Sequence, residues 1–490
     1  MLTSLLPTTS ASRYCARWQQ ADERRPACVQ ELAGLSLAQA DFTQLLQKEI
    51  DAGMPLPRAM RRLRNLLLNS LIERDLTGRA DLAEVVQTIS AFADFAIARH
   101  LAALHTEMVA MYGSPIGEES GQAQEMMVIG MGKLGAHELN VSSDIDLIFI
   151  YAEDGDTQPQ HSGQKSLSNQ EFFTRLGKKL IGAIAEITED GFCFRVDMAL
   201  RPNGQSGPLV ASLAMLEEYL IVQGREWERY AWVKARAITG TTEDIAALNA
   251  IVRPFVYRRY LDFGVIDSLR NMHAQIRAEV SRQERLHPDR SNNVKLGRGG
   301  IREIEFLAQV FQLIRGGREA NLRQRGTRVT LDVLAEKELL THDVVQALLS
   351  SYAFLRNLEH RLQYLDDAQT HTLPANNEDL LRVAQMMGWP DVASLLAALE
   401  QHRQFVAGQF DAIFADKTQD SQTLHENEPD QALTGKDDHL EAIEARMRAL
   451  GYSEVEQCAR RLLAAWQSPR LQSMPEASRN RLQALLNTAL

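Results

Sequence analysis

The pattern of hydrophobic and polar positions divides the chain into two long helical stretches with a short stretch of strands between them. Residues 27–112 carry apolar side chains at helical spacing, for example Leu63, Leu67 and Leu71. Helical spacing resumes after residue 211 and continues to about 415. The pattern therefore predicts helical layers on both sides of a smaller core.

Three apolar runs between the helical stretches have the character of strands. MMVIGMG contains two glycines, DIDLIFIY follows it, and FCFRVDMALR alternates between apolar and polar residues. Before the third run, the pattern predicts an amphipathic helix over residues 169–189. Ser168 and Glu171 form a capping box at its start, and Asp190-Gly191 marks its end. The predicted fold is mainly α, with an embedded α/β domain built on a small mixed sheet and helical domains on both sides.

Domain boundaries follow from these elements and from one shift in composition. A polar, acidic segment near the end of the chain is typical of a linker. The predicted segments are a helical region at 1–115, an α/β core at 116–240, a helical domain at 241–415, the polar linker at 416–439 and the start of a further helical region at 440–490.

Charge and composition restrict the partners and the kind of metal site. A net charge of −11 leaves no excess of basic residues to screen phosphates along a polymer, so we expect no nucleic-acid partner. No CxxC or HExxH motif occurs, so a metal would have hard oxygen ligands, which favours Mg²⁺ or Mn²⁺. No apolar stretch reaches the roughly 18 residues of a membrane helix, and the N-terminus lacks the features of a signal peptide. We expect no membrane contact and a cytoplasmic protein.

Charged residues in the helical regions are predicted to have supporting roles. The arginines of one helix are expected to form a solvated face: Arg58, Arg61, Arg62 and Arg64. Glu303 and Glu305 are expected at the surface or behind a site, and Asp366 and Asp367 are expected to end a helix rather than to bind metal.

Two carboxylates begin the second predicted strand. Side chains alternate along a strand, so Asp144 and Asp146 project together while Ile145, Leu147 and Phe149 project into a core. At a separation of roughly 7 Å and an effective dielectric constant near ~20, their repulsion is about 2 kcal/mol. A divalent cation would compensate for it. The alternative interpretation is a hydrogen-bonded turn that leads into the strand.

Asp197 is the candidate for a third carboxylate. Strict alternation would place Arg195, Asp197, Ala199 and Arg201 on one face of the third strand. A single acid on such a strand is usually a surface group, but beside Asp144 and Asp146 it becomes a candidate for a shared metal ligand. Two metal ions about 3.5 to 4 Å apart, bridged by such carboxylates, can stabilise an in-line phosphoryl displacement.

Glycine turns supply candidate phosphate-binding groups. GMGK ends the first strand, and Gly132 lies twelve residues before Asp144, so amides of this turn can hold phosphates beside the metals. KLGRGGIREIEF precedes a helix that buries Ile301, Ile304 and Ala308, and it permits either phosphate binding by free amides or a tight packing turn. The predicted phosphate-binding residues are Gly132, Lys133, Ser142, Ser143, Arg195, Arg201 and Arg298.

The same residues allow two other functional classes. GMGKLG matches GxGxxG, and Glu153 lies near the position of a ribose-binding acid, so a dinucleotide-binding Rossmann unit is one alternative. Only KLGAHELNVSS separates the two strands, which is too short for its crossover helix, and this fold leaves Asp144 and Asp146 unexplained. The other alternative is a non-catalytic helical regulatory scaffold.

A glycine turn, a spacer, the DID motif and a later third acid resemble the nucleotidyltransferase superfamily of DNA polymerase beta. A closer resemblance, over about 120–375, is to the bifunctional glutamine synthetase adenylyltransferase/adenylyl-removing enzymes. It is carried by the segments VIGMGKLGAHELNVSSDIDLIFIY, FRVDMALRPNGQSGPLV, KLGRGGIREIEF and LEHRLQYLDDAQTHTLP. The resemblance implies that 116–240 is the catalytic domain, with Asp144, Asp146 and Asp197 as catalytic residues and ligands of two Mg²⁺ or Mn²⁺ ions, and that 241–415 completes the active site.

In that family one half of the protein removes AMP from a glutamine synthetase tyrosine by phosphorolysis, and the other half adds AMP from ATP. This chain has one SSDID motif, and its GRGGIREIEF and FQLIRGGR segments resemble the adenylyl-removing half. The resemblance implies glutamine synthetase, ADP or ATP, and inorganic phosphate as partners, with a PII-type signalling protein as regulator. The adenylylating direction is the alternative.

The sequence departs from the family pattern in two respects. The family usually has arginine at the position of Ala199, so one phosphate-facing cation is expected to be missing. A chain of 490 residues with one catalytic motif is expected to be a fragment of a longer protein with two halves.

Overall fold

The computed structural model describes residues 7–159, 161, 164–258, 282, 292–414, 444, 447–448 and 454–466. The chain forms two compact units, Met1–Ala415 and Asp416–Leu490. The predicted linker at 416–439 lies outside the described residues, and the second unit contains a helix at Val455–Trp466. Across the described ranges, no helix is both long enough and apolar enough to cross a membrane. The finer domain boundaries near 115 and 240 stay a prediction.

From residue 7 onward, where the description of the chain begins, six α-helices form the N-terminal layer of the first unit: α1 (Thr8–Ala11), α2 (Arg13–Gln20), α3 (Arg25–Ala33), α4 (Phe42–Asp51), α5 (Leu56–Leu76) and α6 (Leu82–Tyr112). Asp81 caps α6 by accepting a hydrogen bond from the Glu84 amide. Gly113 ends α6 at φ 83°, where an added Cβ would lie 2.0 Å from the Gln158 carbonyl oxygen. Only glycine fits that turn.

Among its described residues, the embedded core contains seven short strands: β1 (Ser114–Pro115), β2 (Met126–Gly130), β3 (Asp144–Tyr151), β4 (Thr157–Gln158), β5 (Arg195–Asp197), β6 (Val210–Ser212) and β7 (Arg236–Ala237). The main sheet has the order β5-β3-β2-β7, and β6 also pairs with β3. β3 is antiparallel to β2 and parallel to β5 and β6, so the sheet is mixed, as predicted. The antiparallel β2–β3 pair rules out the Rossmann alternative, which requires parallel strands.

Two helices belong to the core itself, α7 (Gly132–Gly135) and α8 (Asn169–Ala185). The predicted start of α8 is confirmed, because the Ser168 hydroxyl accepts a hydrogen bond from the Glu171 amide at 3.2 Å. The predicted end at 189 is wrong. Ile187, which falls within the predicted range, lies beyond the helix and is 78% exposed.

The third predicted strand is shorter than its alternating pattern. β5 ends at Asp197, whose carboxylate accepts a hydrogen bond from the Ala199 amide at 2.7 Å. The Arg201 amide then donates to the Met198 carbonyl, so the chain turns instead of continuing as a strand. Alternation predicted that Arg201 lies on the same strand face as Arg195 and Asp197, and this prediction is wrong because the strand ends before Arg201.

The helices that follow the sheet in the first unit are α9 (Leu213–Val222), α10 (Glu226–Trp232), α11 (Thr242–Val256), α12 (Ile301–Arg315), α13 (Thr327–Glu336), α14 (His342–Tyr364), α15 (Asn377–Met386) and α16 (Val392–Phe414). On one face of the sheet, Leu147 and Phe149 belong to the core that includes α5, α6 and α8. On the other face, Ile148 and Ile150 join residues of α9, α11 and α12. This arrangement confirms a mainly α fold with an embedded α/β domain.

The arginines of α5 do not form the solvated face that was predicted. Arg61 and Arg64 are buried, because α5 lies against the loops that follow α8 and α14. Arg61 donates to the Glu186 carbonyl at 2.9 Å, and Arg64 forms a two-pronged ion pair with Asp367 at 2.6 and 2.9 Å. These polar contacts join the N-terminal layer to the rest of the unit.

A buried ion pair between α5 and α14 provides a test of this packing. Asp75 and Arg361 are 5% and 8% exposed, and Asp75 also accepts a hydrogen bond from the Tyr364 hydroxyl. Asp75→Ala should destabilise the unit by about 3–5 kcal/mol, because it leaves a buried guanidinium without its partner. Urea unfolding followed by circular dichroism measures this loss. Asp22→Ala, which removes the partner of the exposed Arg24, is the control and should leave the midpoint nearly unchanged. Equal shifts in the two variants would contradict this account.

Candidate metal centre

Three carboxylates come together where β3 and β5 run side by side. The parallel register places Asp144 beside Arg195 and Asp146 beside Asp197. One carboxylate oxygen from each of Asp144, Asp146 and Asp197 lies within 4.8 Å of the other two. The structure thus brings the predicted acids into one half-buried cluster.

Strand alternation and local capping position these acids. Ile145 and Leu147 are fully buried in one core, so Asp144 and Asp146 project to the opposite face, as predicted. On β5, the hydrogen bond from the Ala199 amide orients the carboxylate of Asp197. The triad therefore rests on two paired strands and one tight turn.

The electrostatics of the cluster favour a bound cation. Burial, together with the charges of Asp144 and Asp197, raises the pKa of Asp146 to about 7. Lys295 and Lys133 act in the opposite direction but do not cancel the effect. Three hard carboxylate oxygens around one point suit Mg²⁺ or Mn²⁺, so the residues present fit divalent metal use.

Gly132 leaves space for this cluster. Its φ is 52°, and an added Cβ would lie 3.1 Å from a carboxylate oxygen of Asp146. A side chain here would be both strained and crowded against the triad. The structure thus places the predicted glycine turn directly beside Asp146.

Lys133, the next residue, is ion-paired away from solvent. Its ammonium nitrogen lies 3.0 Å from each carboxylate oxygen of Glu359, a fully buried residue of α14. Burial lowers the pKa of Lys133 to about 7, although the charge of Glu359 opposes this shift. The predicted phosphate-binding lysine is therefore already engaged by a carboxylate.

Ser142, Ser143 and Arg195 form the support beneath the start of β3. Both serines are buried. The Ser142 amide donates to the side-chain oxygen of Gln363 at 3.2 Å, and Arg195 donates to the Ser142 carbonyl and hydroxyl at 2.6 and 2.8 Å. The sequence predicted all three as phosphate ligands, and the structure places Ser142 and Arg195 in contacts that hold the loop before Asp144.

The remaining two predicted arginines have partners outside the triad. Arg201 donates to the Met198 carbonyl at 2.8 Å and to the Gln205 carbonyl at 3.3 Å. Arg298 forms a surface ion pair with Asp411 at 2.6 Å.

The second glycine segment is a packing turn. The first three amides of α12 donate to the carbonyls of Val294, Lys295 and Gly300, so they are not free for phosphate. Gly299 has φ 69°, and an added Cβ would lie 2.1 Å from the Arg403 carbonyl oxygen. Of the two interpretations of this segment, the structure supports the tight turn.

The helix that follows this turn has the predicted core, and of the two positions expected for its acids, the surface is excluded. Ile301, Ile304 and Ala308 are buried, as predicted. Glu303 and Glu305 are also buried rather than exposed, because Glu303 accepts from the Gly299 amide and Glu305 lies 3.4 Å from the Lys234 ammonium. Both acids serve the packing of α12.

Sequence reasoning missed Glu359, the buried partner of Lys133, and Lys295, whose charge lowers the pKa of Asp146. Lys295 stands in the KLGRGG segment, beside the glycines and Arg298 on which the phosphate-binding prediction depends. Glu359 lies in LEHRLQYL, beside leucines that predict a buried helix. A charged residue surrounded by core positions was the available signal, because buried charges require a partner.

The raised pKa of Asp146 makes stability depend on pH. Without divalent metal, Asp146 keeps its proton to about pH 7 when folded but releases it near 3.8 when unfolded. Its contribution is therefore fully present below 3.8 and is lost as the pH rises through about 7. Asp146→Asn should escape this loss, so its melting temperature should rise relative to that of the wild type over this range. Thermal unfolding of both proteins in the presence of a chelator measures the difference in melting temperature. If the melting temperatures of the two proteins changed in parallel with pH, a raised pKa of Asp146 would be excluded.

Comparisons with known proteins agree with the chemistry of the site. A model of the glutamate-ammonia ligase adenylyltransferase family matches residues 5–250. A model of the GlnD PII-uridylyltransferase family matches residues 270–414. The two matches together cover the sheet, the triad and the helices that pack around them.

Similar proteins named bifunctional glutamine synthetase adenylyltransferase/adenylyl-removing enzyme occur in several bacteria. The protein of Ralstonia nicotianae is 48% identical over 98% of this chain and 52% of its own length. Those of Aromatoleum aromaticum and Chromobacterium violaceum are 49% and 51% identical, over 99% and 89% of this chain and 50% and 47% of their own lengths. The chain thus spans about half the length of these curated relatives. By its family match and its carboxylate triad, the chain belongs to the glutamate-ammonia ligase adenylyltransferase family of nucleotidyltransferases.

Proposed function

We propose that this chain removes AMP from adenylylated glutamine synthetase by phosphorolysis, which yields ADP and the free tyrosine. The observation that carries the proposal is the convergence of Asp144, Asp146 and Asp197 beside the Gly132 turn in a member of this family. The relatives' names include both addition and removal of AMP. GRGGIREIEF and FQLIRGGR favour removal, because they resemble the adenylyl-removing half.

In the proposed reaction, an oxygen of inorganic phosphate attacks the α-phosphorus of the adenylyl-tyrosine. The bond from that phosphorus to the tyrosyl oxygen breaks on the opposite side, and the tyrosyl oxygen then takes up a proton. Two Mg²⁺ or Mn²⁺ ions held by the triad would neutralise the phosphoryl oxygens in this in-line displacement. The chain itself must hold the three acids in place and keep the approach to them open.

The surrounding residues have distinct proposed roles. Gly132 allows the nucleotide phosphates to approach the triad closely, since it presents no side chain. Arg195 and Ser142 hold the loop before Asp144 through their mutual hydrogen bonds. The predicted phosphate ligands are Gly132, Lys133, Ser142, Ser143, Arg195, Arg201 and Arg298.

The proposed partners are glutamine synthetase, inorganic phosphate, ADP or ATP, and a PII-type signalling protein. Glutamine synthetase is proposed because the names of the relatives include it. Phosphate and the nucleotides are proposed because they take part in the proposed reaction. The match of residues 270–414 to the PII-uridylyltransferase family supports a PII-type protein as regulator, because enzymes of that family are named for acting on it.

Incubation with adenylylated glutamine synthetase, Mg²⁺ and phosphate tests the proposed reaction. We expect release of ADP, measured by chromatography, and no efficient addition of AMP from ATP. Asp144→Asn and Asp146→Asn should abolish turnover and leave the fold intact, because each removes a candidate metal ligand and relieves like-charge repulsion. A chain that adds AMP but never removes it would reverse the assignment of direction.

Asp197→Ala tests the third carboxylate. We expect kcat to fall by on the order of 10²-fold or more, comparable to the loss of a preorganised electrostatic group in a transition state. Binding of glutamine synthetase, measured by calorimetry, should change little. Asp332→Ala, at an exposed position of α13, is the control and should keep its activity. Near wild-type turnover in Asp197→Ala would remove this residue from the mechanism.

A further inference from the structure

Two arginine side chains lie over the ring of Phe192, just before β5. The guanidinium carbon of Arg195 is 4.9 Å from the ring centroid, and that of Arg64 is 5.0 Å from it. Arg195 is paired with Asp144 in the register of β5 and β3. We propose that Phe192 is a positioning residue: its ring orients the guanidinium of Arg195, which in turn holds the loop that leads into Asp144. The inference rests on the proposed function, because it concerns the metal site of that reaction.

The hydrogen bonds of Arg195 leave the orientation of its guanidinium incompletely fixed. One terminal nitrogen, Nη2, donates both to the Ser142 carbonyl at 2.6 Å and to the Ser142 hydroxyl at 2.8 Å. Within the described parts of the chain, the buried Nε of Arg195 has no hydrogen-bond partner. A planar group held at one corner can still rotate about that corner. The aromatic face of Phe192 attracts the cation and restricts this rotation.

The position of Phe192 is fixed by contacts on both sides of it in the chain. Just before it, the Asp190 carbonyl accepts a hydrogen bond from the Asn65 side chain of α5 at 2.9 Å. Just after it, the Cys193 amide donates to the carbonyl of Ile184 in α8 at 3.0 Å. The ring is therefore held by two helices that do not depend on Arg195.

The second arginine on the ring is neutralised by an acid. Arg64 is buried, and its guanidinium forms the two-pronged ion pair with Asp367. Because Asp367 balances the charge of Arg64, a second guanidinium can lie over the same ring without strong repulsion. The ring of Phe192 thus joins α5, through Arg64, to the first residue of β5, Arg195.

The loop that Arg195 holds leads directly into the triad. Ser142 is two residues before Asp144, and its amide donates to the Gln363 side chain, so both β5 and α14 contact this loop. Loss of the contact from β5 would loosen the first carboxylate of the triad. Groups that orient a metal ligand from behind contribute to metal affinity, since the ligand oxygens must lie at fixed distances from the ion. Phe192 should therefore affect metal binding.

Binding of Mn²⁺ alone, followed by electron paramagnetic resonance of the free ion, tests this role without turnover. Phe192→Leu should weaken Mn²⁺ binding by about 10-fold, the smaller loss expected when a group that orients a ligand is removed. Phe192→Tyr keeps the aromatic face and should restore wild-type affinity. Trp18→Leu is the matched control, because it removes a comparable contact with Arg25, at 4.7 Å, in α2, and it should leave the affinity unchanged.

A double-variant cycle shows whether Phe192 acts through Arg195. Arg195→Met should weaken Mn²⁺ binding at least as much as Phe192→Leu does, and the two changes together should cause no further loss. Losses that multiply in the double variant would overturn the inference, because they would mean that the two residues act independently. Wild-type Mn²⁺ affinity in Phe192→Leu would overturn it as well.

Kinetics of AMP removal supply a second signature. In Phe192→Leu, the Mn²⁺ concentration that gives half-maximal activity should rise by about 10-fold, more than kcat at saturating Mn²⁺ falls. A raised KM for inorganic phosphate with an unchanged response to Mn²⁺ would contradict the inference. A wild type that binds Mn²⁺ but never removes AMP would overturn the proposed function alone, because the comparison of Mn²⁺ affinities would still stand.

Thermal unfolding separates positioning from a loss of packing. A purely structural role would lower the melting temperature of Phe192→Leu and leave its Mn²⁺ affinity unchanged, and that result would overturn the inference. Should Phe192→Leu not fold, Phe192→Met replaces it, because methionine is a flexible apolar side chain that fills gaps but has no ring face. The same loss of Mn²⁺ affinity is expected in a folded Phe192→Met protein, and its absence would exclude the role of the ring.

Discussion

The parallel pairing of β3 with β5 is the contact on which the site depends. It sets Asp146 opposite Asp197 and brings a third carboxylate, Asp144, within the same 4.8 Å cluster. Such a cluster is unfavourable by itself, as the raised pKa of Asp146 shows. It persists because the alternate residues of β3, such as Ile145 and Leu147, are fully buried and hold the strand in register. A slip by one residue would place carboxylates in the core.

Helix α14 transmits the packing of the helical region to this site. Its buried face carries Arg356, Glu359 and Gln363 toward the loop before β3, while Arg361 is paired with Asp75 of α5. Contacts of this kind are directional, since each requires one partner at one distance. Apolar packing would hold α14 against the core with less control over its rotation. The polar face therefore determines the position of the glycine turn relative to the triad.

Local patterns in the sequence predicted the parts of the site that local rules govern. Alternation placed Asp144 and Asp146 on one face, and the serine at 168 marked the start of α8. Tertiary contacts decided the rest. Arg64 is buried because Asp367, some 300 residues later in the chain, meets it across the interface of α5 with the loop after α14. No local pattern identifies such a partner, and the same limit concealed the pairing of Lys133 with Glu359.

Ala199 illustrates how one departure from a family pattern can leave the geometry of a site intact. The residue at this position orients Asp197 through its backbone amide, which donates to the carboxylate at 2.7 Å. Every residue except proline supplies that donor, so the triad does not require an arginine side chain here. What an alanine removes is a positive charge near the phosphates. Its effect should therefore fall on substrate binding and on the transition state, and the arrangement of the three carboxylates should remain the same.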